Sequence, residues 1–220
     1  MAAASRVARG VLIGLGLAAY AVLAHLSNAH PDQAPWGPLL AVAPVALAAV
    51  LLALRARHRF VALGVCAVAA IVVARLWPEL ETHYALLYAI QDAGVYAVLA
   101  AVFARTLAPG HEPLCAQFAA IVHGPLPPEV ARYTRRLTAA WVAFFVALAI
   151  ADALLFAVLP LAVWSAFANF VTLPLVGVMF AIEYAVRRRA LPHLEHRGLL
   201  LTLRTVFGSG WRPSLAASRN

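Results

Sequence analysis

The chain has 220 residues, 64% of them hydrophobic and only 12% charged, with a formal net charge of +8. A water-soluble domain of this size carries about 25% charged residues, and no half of the chain is hydrophilic enough to fold as a separate soluble domain. Every basic residue is an arginine, and in so apolar a chain a positive balance records membrane orientation and anionic headgroups, not nucleic acid.

Six apolar runs follow one another, over 10–28, 36–54, 60–77, 84–104, 138–159 and 163–184. A helix crosses a bilayer core with about 20 such residues. The runs are continuous, not alternating, which excludes barrel strands. The predicted fold is therefore all-α: a polytopic membrane protein with six transmembrane helices in one domain, 1–189. The first run has a second reading. Arg6 and Arg9, an apolar stretch and Ser27-Asn28-Ala29 also fit a cleavable signal peptide, although Val11 to Leu26 is long for one and its Gly and Ala suit helix packing.

Between the fourth and fifth runs lies the one substantial loop, 105–137. Ala108-Pro109-Gly110 marks a turn. Leu114, Phe118, Ile121 and Val122 recur at helical spacing, which predicts a short amphipathic helix on the membrane surface. His123-Gly124-Pro125 ends it. Pro128 and Glu129 suit the first turn of a new helix that leads into the fifth span. The 190–220 segment reads as a basic tail.

Of the seventeen arginines, all but Arg75 fall in the N-terminus, the Arg55–Arg59 connection, the 105–137 loop and the tail, while the alternate loops hold Asp32, Glu79 and Glu81. With six spans this gives an N-in, C-in topology. Cys66 sits in an apolar run and Cys115 in the loop, so the two cysteines do not pair.

The polar residues inside the runs are the costly ones. A charged Asp at mid-membrane costs about 2.5–3.5 kcal/mol, so each requires a partner, a proton or water. Asp92, beside Gln91, lies about 12 Å below the outer surface, Asp152 about 10 Å and Asn169 about 9 Å, at 1.5 Å per residue. With Arg75 they form an intramembrane polar layer: Arg75, Gln91, Asp92, Asp152 and Asn169. Structurally, such a layer is interhelical glue, with Arg75 within reach of one Asp and the other acid protonated. Functionally, it marks a proton-coupled or headgroup-binding site. His25, His30 and His83 stand near the same surface. Pro44, Pro160 and Pro174 fall in or beside spans, and Pro174 predicts a kink whose freed backbone Thr172 serves.

On the inner side, His123, Glu112 and Cys115 are the weak catalytic candidates: Cys115 as nucleophile and His123 as base. With His111 they match no zinc spacing, so no metal and no cofactor is expected. Arg132, Arg135 and Arg136 form a basic patch for a headgroup or an acidic carrier, or serve as topology anchors.

The stretch from Arg105 to Cys115, with His123-Gly124-Pro125-Leu126, Tyr133-Thr134-Arg135, Ala140-Trp141, Trp164-Ser165, Ala168-Asn169, Leu173-Pro174 and Glu183-Tyr184, resembles a family of small bacterial inner-membrane proteins. Their genes lie near those for aryl-polyene pigment lipids of the xanthomonadin type. Some members carry a ketosynthase label, but this chain lacks a ketosynthase's length, fold pattern and Cys–His–His context. The resemblance covers most of residues 10–190 and implies a pathway, not a catalytic role. Three functions are thus expected: an accessory or transport protein for a lipidic product, an intramembrane acyl or headgroup transferase, or a scaffold docking soluble synthases or acyl carrier protein. Membrane lipids are partners in all three.

Overall fold

A computed structural model of the protein describes residues 2–30 and 36–191, excepting the side chains of 2–7, 122 and 123. All regular structure among these residues is helical: α1 (Ala2–Ala29), α2 (Gly37–Arg55), α3 (Arg59–Arg75), α4 (Trp77–Arg105), α5 (Leu114–His123), α6 (Pro128–Val158), α7 (Leu161–Ala166), a π-helical turn (Phe167–Val171) and α8 (Thr172–Ala190). Among the described residues, five helices are long and apolar enough to cross a membrane: Ala8–Ala29 of α1, α2, α4, α6 and the continuous run Leu161–Ala190. Large apolar side chains cover their outer surfaces; Leu12 is 69% exposed and Leu173 is 77% exposed. A water-soluble protein buries such groups, whereas lipid solvates them.

The third predicted span differs from the others. It is the 17-residue helix α3, bounded by Arg59 and Arg75 and without a single buried residue. The start predicted for the fourth span at 84 falls just after a break in α4, where His83 has φ −121 and ψ 17. The loop helix is α5, preceded by Gly110 and ended by Gly124, both with positive φ. That conformation costs glycine least, for want of a Cβ. α6 runs unbroken from Pro128 into the fifth span. Ser27-Asn28-Ala29 lies within α1, with Ser27 and Asn28 buried. The tail beyond residue 191 and the loop with Asp32 lie outside the described residues.

Contacts group the chain into two compact units. The first comprises Met1–Val98 and Phe145–Gly177; the second comprises Leu99–Phe144 and Val178–Asn220. In the first, α1 packs on α7, the π turn and α2, and α2 packs on α3. Its core joins Ala24, Ala41, Tyr84, Tyr88, Ala89 and Trp164, with Phe156 edge-on to Trp164 at 5.1 Å. In the second, Trp141 packs against Phe103, Phe144 and Phe180, the last at 4.8 Å.

The kink predicted at Pro174 takes the form of the π turn. A proline withholds its N–H from the helical ladder, and a π turn re-registers the bonds upstream. The Thr172 N–H reaches back to the Phe167 carbonyl, and the Thr172 hydroxyl donates to the same oxygen at 3.3 Å.

Candidate functional site: a polar interior in the first unit

Tyr84, Tyr88, Asp92 and Tyr96 recur every four residues and Gln91 stands three after Tyr88, so they share one broad face of α4. Three of them donate to main-chain carbonyls of α1 and α2. Tyr84 Oη donates to Ser27, Tyr88 Oη to Gly37 at 3.5 Å, and Gln91 Nε2 to Ala41 at 2.8 Å. Tyr20 of α1 donates to the Leu40 carbonyl at 3.4 Å. Proline explains two of these acceptors. In an α-helix the carbonyl of residue i accepts from the N–H of i+4. Four residues after Leu40 stands Pro44, inside α2, and four after Ser27 stands Pro31. Neither proline has an N–H to give, so each carbonyl needs another donor, and a tyrosine hydroxyl supplies it. Close approach at this joint requires glycine, since a Cβ on Gly37 would lie 2.9 Å from Tyr84 Cε2.

The acids lie in the same unit. Asp152 of α6 is fully buried. Its Oδ1 accepts the Trp164 indole N–H at 2.9 Å, whereas its Oδ2 has no hydrogen-bond partner among the described residues. Asp92 of α4 is half-buried and within electrostatic range of Asp152, Tyr20 and Tyr96. Tyr96 Oη donates to Thr172 Oγ1 at 3.4 Å. Asn169, in the π turn, donates through Nδ2 to the Ser165 carbonyl at 2.9 Å and to Ser165 Oγ at 3.2 Å. His25 Nδ1 meets the same hydroxyl at 3.3 Å, and its ring lies edge-on to Phe170.

Arg75 takes no part in this cluster. It is exposed in the last turn of α3 and pairs with neither acid, contrary to the reach expected from the sequence. Of the other helices, α3 packs chiefly on α2. A guanidinium at a helix C-terminus is held by the terminal carbonyls and extends its stem toward water.

In the second unit, hydroxyls cap the N-terminus of α5. Pro113, its cap residue, contributes no side-chain bond. Thr106 Oγ1 accepts the Leu114 N–H at 3.0 Å and Thr138 Oγ1 accepts the Cys115 N–H at 3.2 Å, covering amides that a helix start leaves open. Burial pushes the Cys115 thiol above its ordinary range; the Thr138 hydrogen bond opposes this and the nearby Glu183 adds to it. A raised thiol is the reverse of an activated nucleophile. Glu112 and His111 are exposed, and the His123 side chain lies outside the described residues. Among the described residues no three His, Cys, Asp or Glu side chains gather as a metal site. Arg132, Arg135 and Arg136 are exposed, with Arg135 Nη2 donating to the Leu107 carbonyl at 2.7 Å. Tyr133 Oη donates to the Glu183 carbonyl at 3.3 Å and to its carboxylate at 3.4 Å, and Arg187 Nε pairs with that carboxylate at 3.4 Å. A shallow basic cavity of about 450 Å³ lies at the α2–α3 turn, lined by Leu54 and residues 56–61.

No protein-family model, curated protein or solved structure matches the chain.

The sequence names Gln91, Asp92, Asp152 and Asn169 as a layer and His25 near the same surface, but not their companions Tyr20, Tyr84, Tyr88, Trp164 and Ser165. The signal was present: for Tyr84 and Tyr88, spacing on one face of an otherwise apolar run, and for Tyr84 and Tyr20, a proline four residues after the carbonyl each covers.

Proposed function

We propose that the protein is a six-span inner-membrane protein, N-in and C-in, that serves a lipidic product as an accessory or transport protein, the product being an acyl lipid of the aryl-polyene type. One observation carries this reading. Asp152 is fully buried in a helix bundle whose outside is apolar, with one carboxyl oxygen unpartnered. Such a group is costly as a purely structural element and is a common mark of a transport path. The π turn beside Asn169 supports movement, because it is a weak point in an otherwise regular span. Six spans require α3 to cross as well. Its 17 residues extend about 25 Å at 1.5 Å per residue, at the short end of spanning helices. Arginines at both ends extend that reach by snorkelling. The arginine distribution supports the orientation, and the resemblance supports the product class.

Deleting the gene and profiling membrane lipids tests the function: the polyene-type lipids should fall or accumulate on one side, and an unchanged profile refutes it. Reporter fusions test the topology. Those at Asp32, Glu79 and Pro160 should read periplasmic, and those at Arg57, Glu112 and Arg212 cytoplasmic; one reversed pair removes the six-span arrangement.

A second reading, a scaffold for acidic acyl carrier protein, is favoured by the exposed Arg132 and Arg136 beside Arg135. Replacing Arg135 and Arg136 with Gln should weaken binding to carrier or anionic lipid by about 1 kcal/mol per charge. Unchanged binding in low salt leaves the two as topology anchors. The transferase reading draws less support, because burial raises the Cys115 thiol and so disfavours the thiolate a nucleophile needs.

A further inference from the structure

We propose that Asp152 is a proton-binding site, loaded and unloaded within the first unit, with Trp164 fixing one carboxyl oxygen and Asp92 as its acidic neighbour. The inference deepens the transport reading and rests on it only for the use to which the proton is put.

The geometry supports it in three ways. First, the carboxyl of Asp152 is asymmetric. Oδ1 holds the Trp164 N–H at 2.9 Å, while Oδ2 of this fully buried residue has no partner among the described residues. A carboxylate spreads its charge over both oxygens and calls for donors to both, whereas a carboxylic acid carries its own hydrogen on one. The single donor supplied here matches the second form. Second, among the described residues no cation pairs with either acid. Asp152 acts electrostatically on Asp92 and Tyr96 of α4, Asp92 acts on Tyr20 of α1, Arg75 pairs with neither acid, and the histidine of the layer, His25, meets Ser165. Two ionised acids in this apolar setting would repel each other with no cation between them. Third, the layer abuts a mechanical weak point. Trp164 and Ser165 lie immediately before the π turn, and Thr172, which receives the Tyr96 hydroxyl, ends it. A shift of that turn moves Trp164 and the Tyr96 contact together. It thereby alters the hydrogen bonding of the acid and opens it to water through half-buried Asp92.

Only an O–H bond forms or breaks. Water delivers the proton to Asp152 and removes it, and charge balances as the carboxyl passes between neutral and anionic forms. A sodium ion would neutralise the same oxygens, so the experiment separates the two.

Infrared difference spectra of the full-length protein in lipid vesicles, taken between acidic and alkaline buffer, read the site directly. A protonated carboxyl has a carbonyl stretch clear of the amide bands. The expected result is one such band that titrates in the wild type, is lost in Asp152→Asn and shifts in Asp92→Asn. Asp152→Asn keeps an oxygen for the Trp164 N–H, so the fold is retained; a normal helical circular dichroism spectrum verifies this. Trp164→Phe gives a second route that leaves both acids in place, and it should move the midpoint of the same band. No titrating band in the wild type, or a band that survives Asp152→Asn, overturns the proposal. So does a change on adding sodium chloride at fixed pH that potassium chloride does not produce, since the site then takes a metal cation. None of these outcomes alters the lipid profile of the deletion strain, so failure here is distinct from failure of the transport reading.

Discussion

Tyr84→Phe removes one hydroxyl and leaves the ring, so it isolates the hydrogen bond to Ser27. The ordinary net value of a hydrogen bond is about 0.5–1.5 kcal/mol, and interhelical bonds in a membrane average about 0.6 with a maximum near 1.7 kcal/mol. The mean is low because unfolded-in-membrane helices find other partners. The Ser27 carbonyl has none within its helix, because the residue four places on is Pro31, and Ser27 is fully buried. The loss should therefore lie near the top of the range, about 1.5 kcal/mol. Tyr88→Phe is the internal comparison. It is the same change one turn along the same face, equally buried, but its acceptor, Gly37, is 3.5 Å away and has Ala41 four residues on with an N–H to give. That loss should be about 0.5 kcal/mol. The 1 kcal/mol difference corresponds to about 2–4 °C in midpoint for a chain of this size. Equilibrium unfolding of the purified protein in mixed micelles, followed by circular dichroism, gives both values. If Tyr84→Phe costs no more than Tyr88→Phe, proline-orphaned carbonyls do not explain the tyrosine face.

A double-mutant cycle extends the same logic to Tyr20: its change to Phe should cost about 0.5–1 kcal/mol alone and almost nothing beside Pro44→Ala, which restores an N–H to the Leu40 carbonyl. Equal costs in the two backgrounds would count against it. Gly37→Ala should destabilise by about 1–3 kcal/mol through its clash with Tyr84. Gly94→Ala, with open space around its Cβ, should be neutral or gain up to about 1 kcal/mol of helix propensity, and the same unfolding assay ranks the pair. Cys115 should alkylate slowly at neutral pH and accelerate only above the ordinary thiol range. Its neutral form is favoured in the fold, so stability from this group is intact at low pH and lost as pH rises through the raised value. Full labelling of native protein at neutral pH within the time taken by a free thiol would contradict this.

The helices were legible because apolar length and continuity are properties of single segments. The surface helix α5 and its glycine stop were legible for the same reason, as local periodicity and turn chemistry. The π turn was half legible: Pro174 announced a kink, and Thr172 a hydroxyl to serve it, but the choice of the Phe167 carbonyl five residues back depends on how the turn re-registers. Partners across helices were not legible. Arg75 had the right depth to meet Asp92 or Asp152, yet depth gives one coordinate of three, and the packing of α3 leaves that arginine exposed. The meeting of His25 with Ser165 was not legible, because a lone serine and an interfacial histidine carry no periodic signal; only the packing of α1 against α7 brings them together.

The two tyrosine bonds to proline-orphaned carbonyls have different consequences while the chain is being made. Tyr20 precedes Pro44, so the Leu40 carbonyl finds its donor as soon as α2 enters the bilayer beside α1. Ser27 waits for a donor 57 residues downstream. Until α4 emerges, the end of α1 must keep that oxygen in contact with water, at the membrane surface or in the insertion machinery. The first helix thus settles to its final depth only after the fourth has arrived, and the chain is inserted in one order and seated in another.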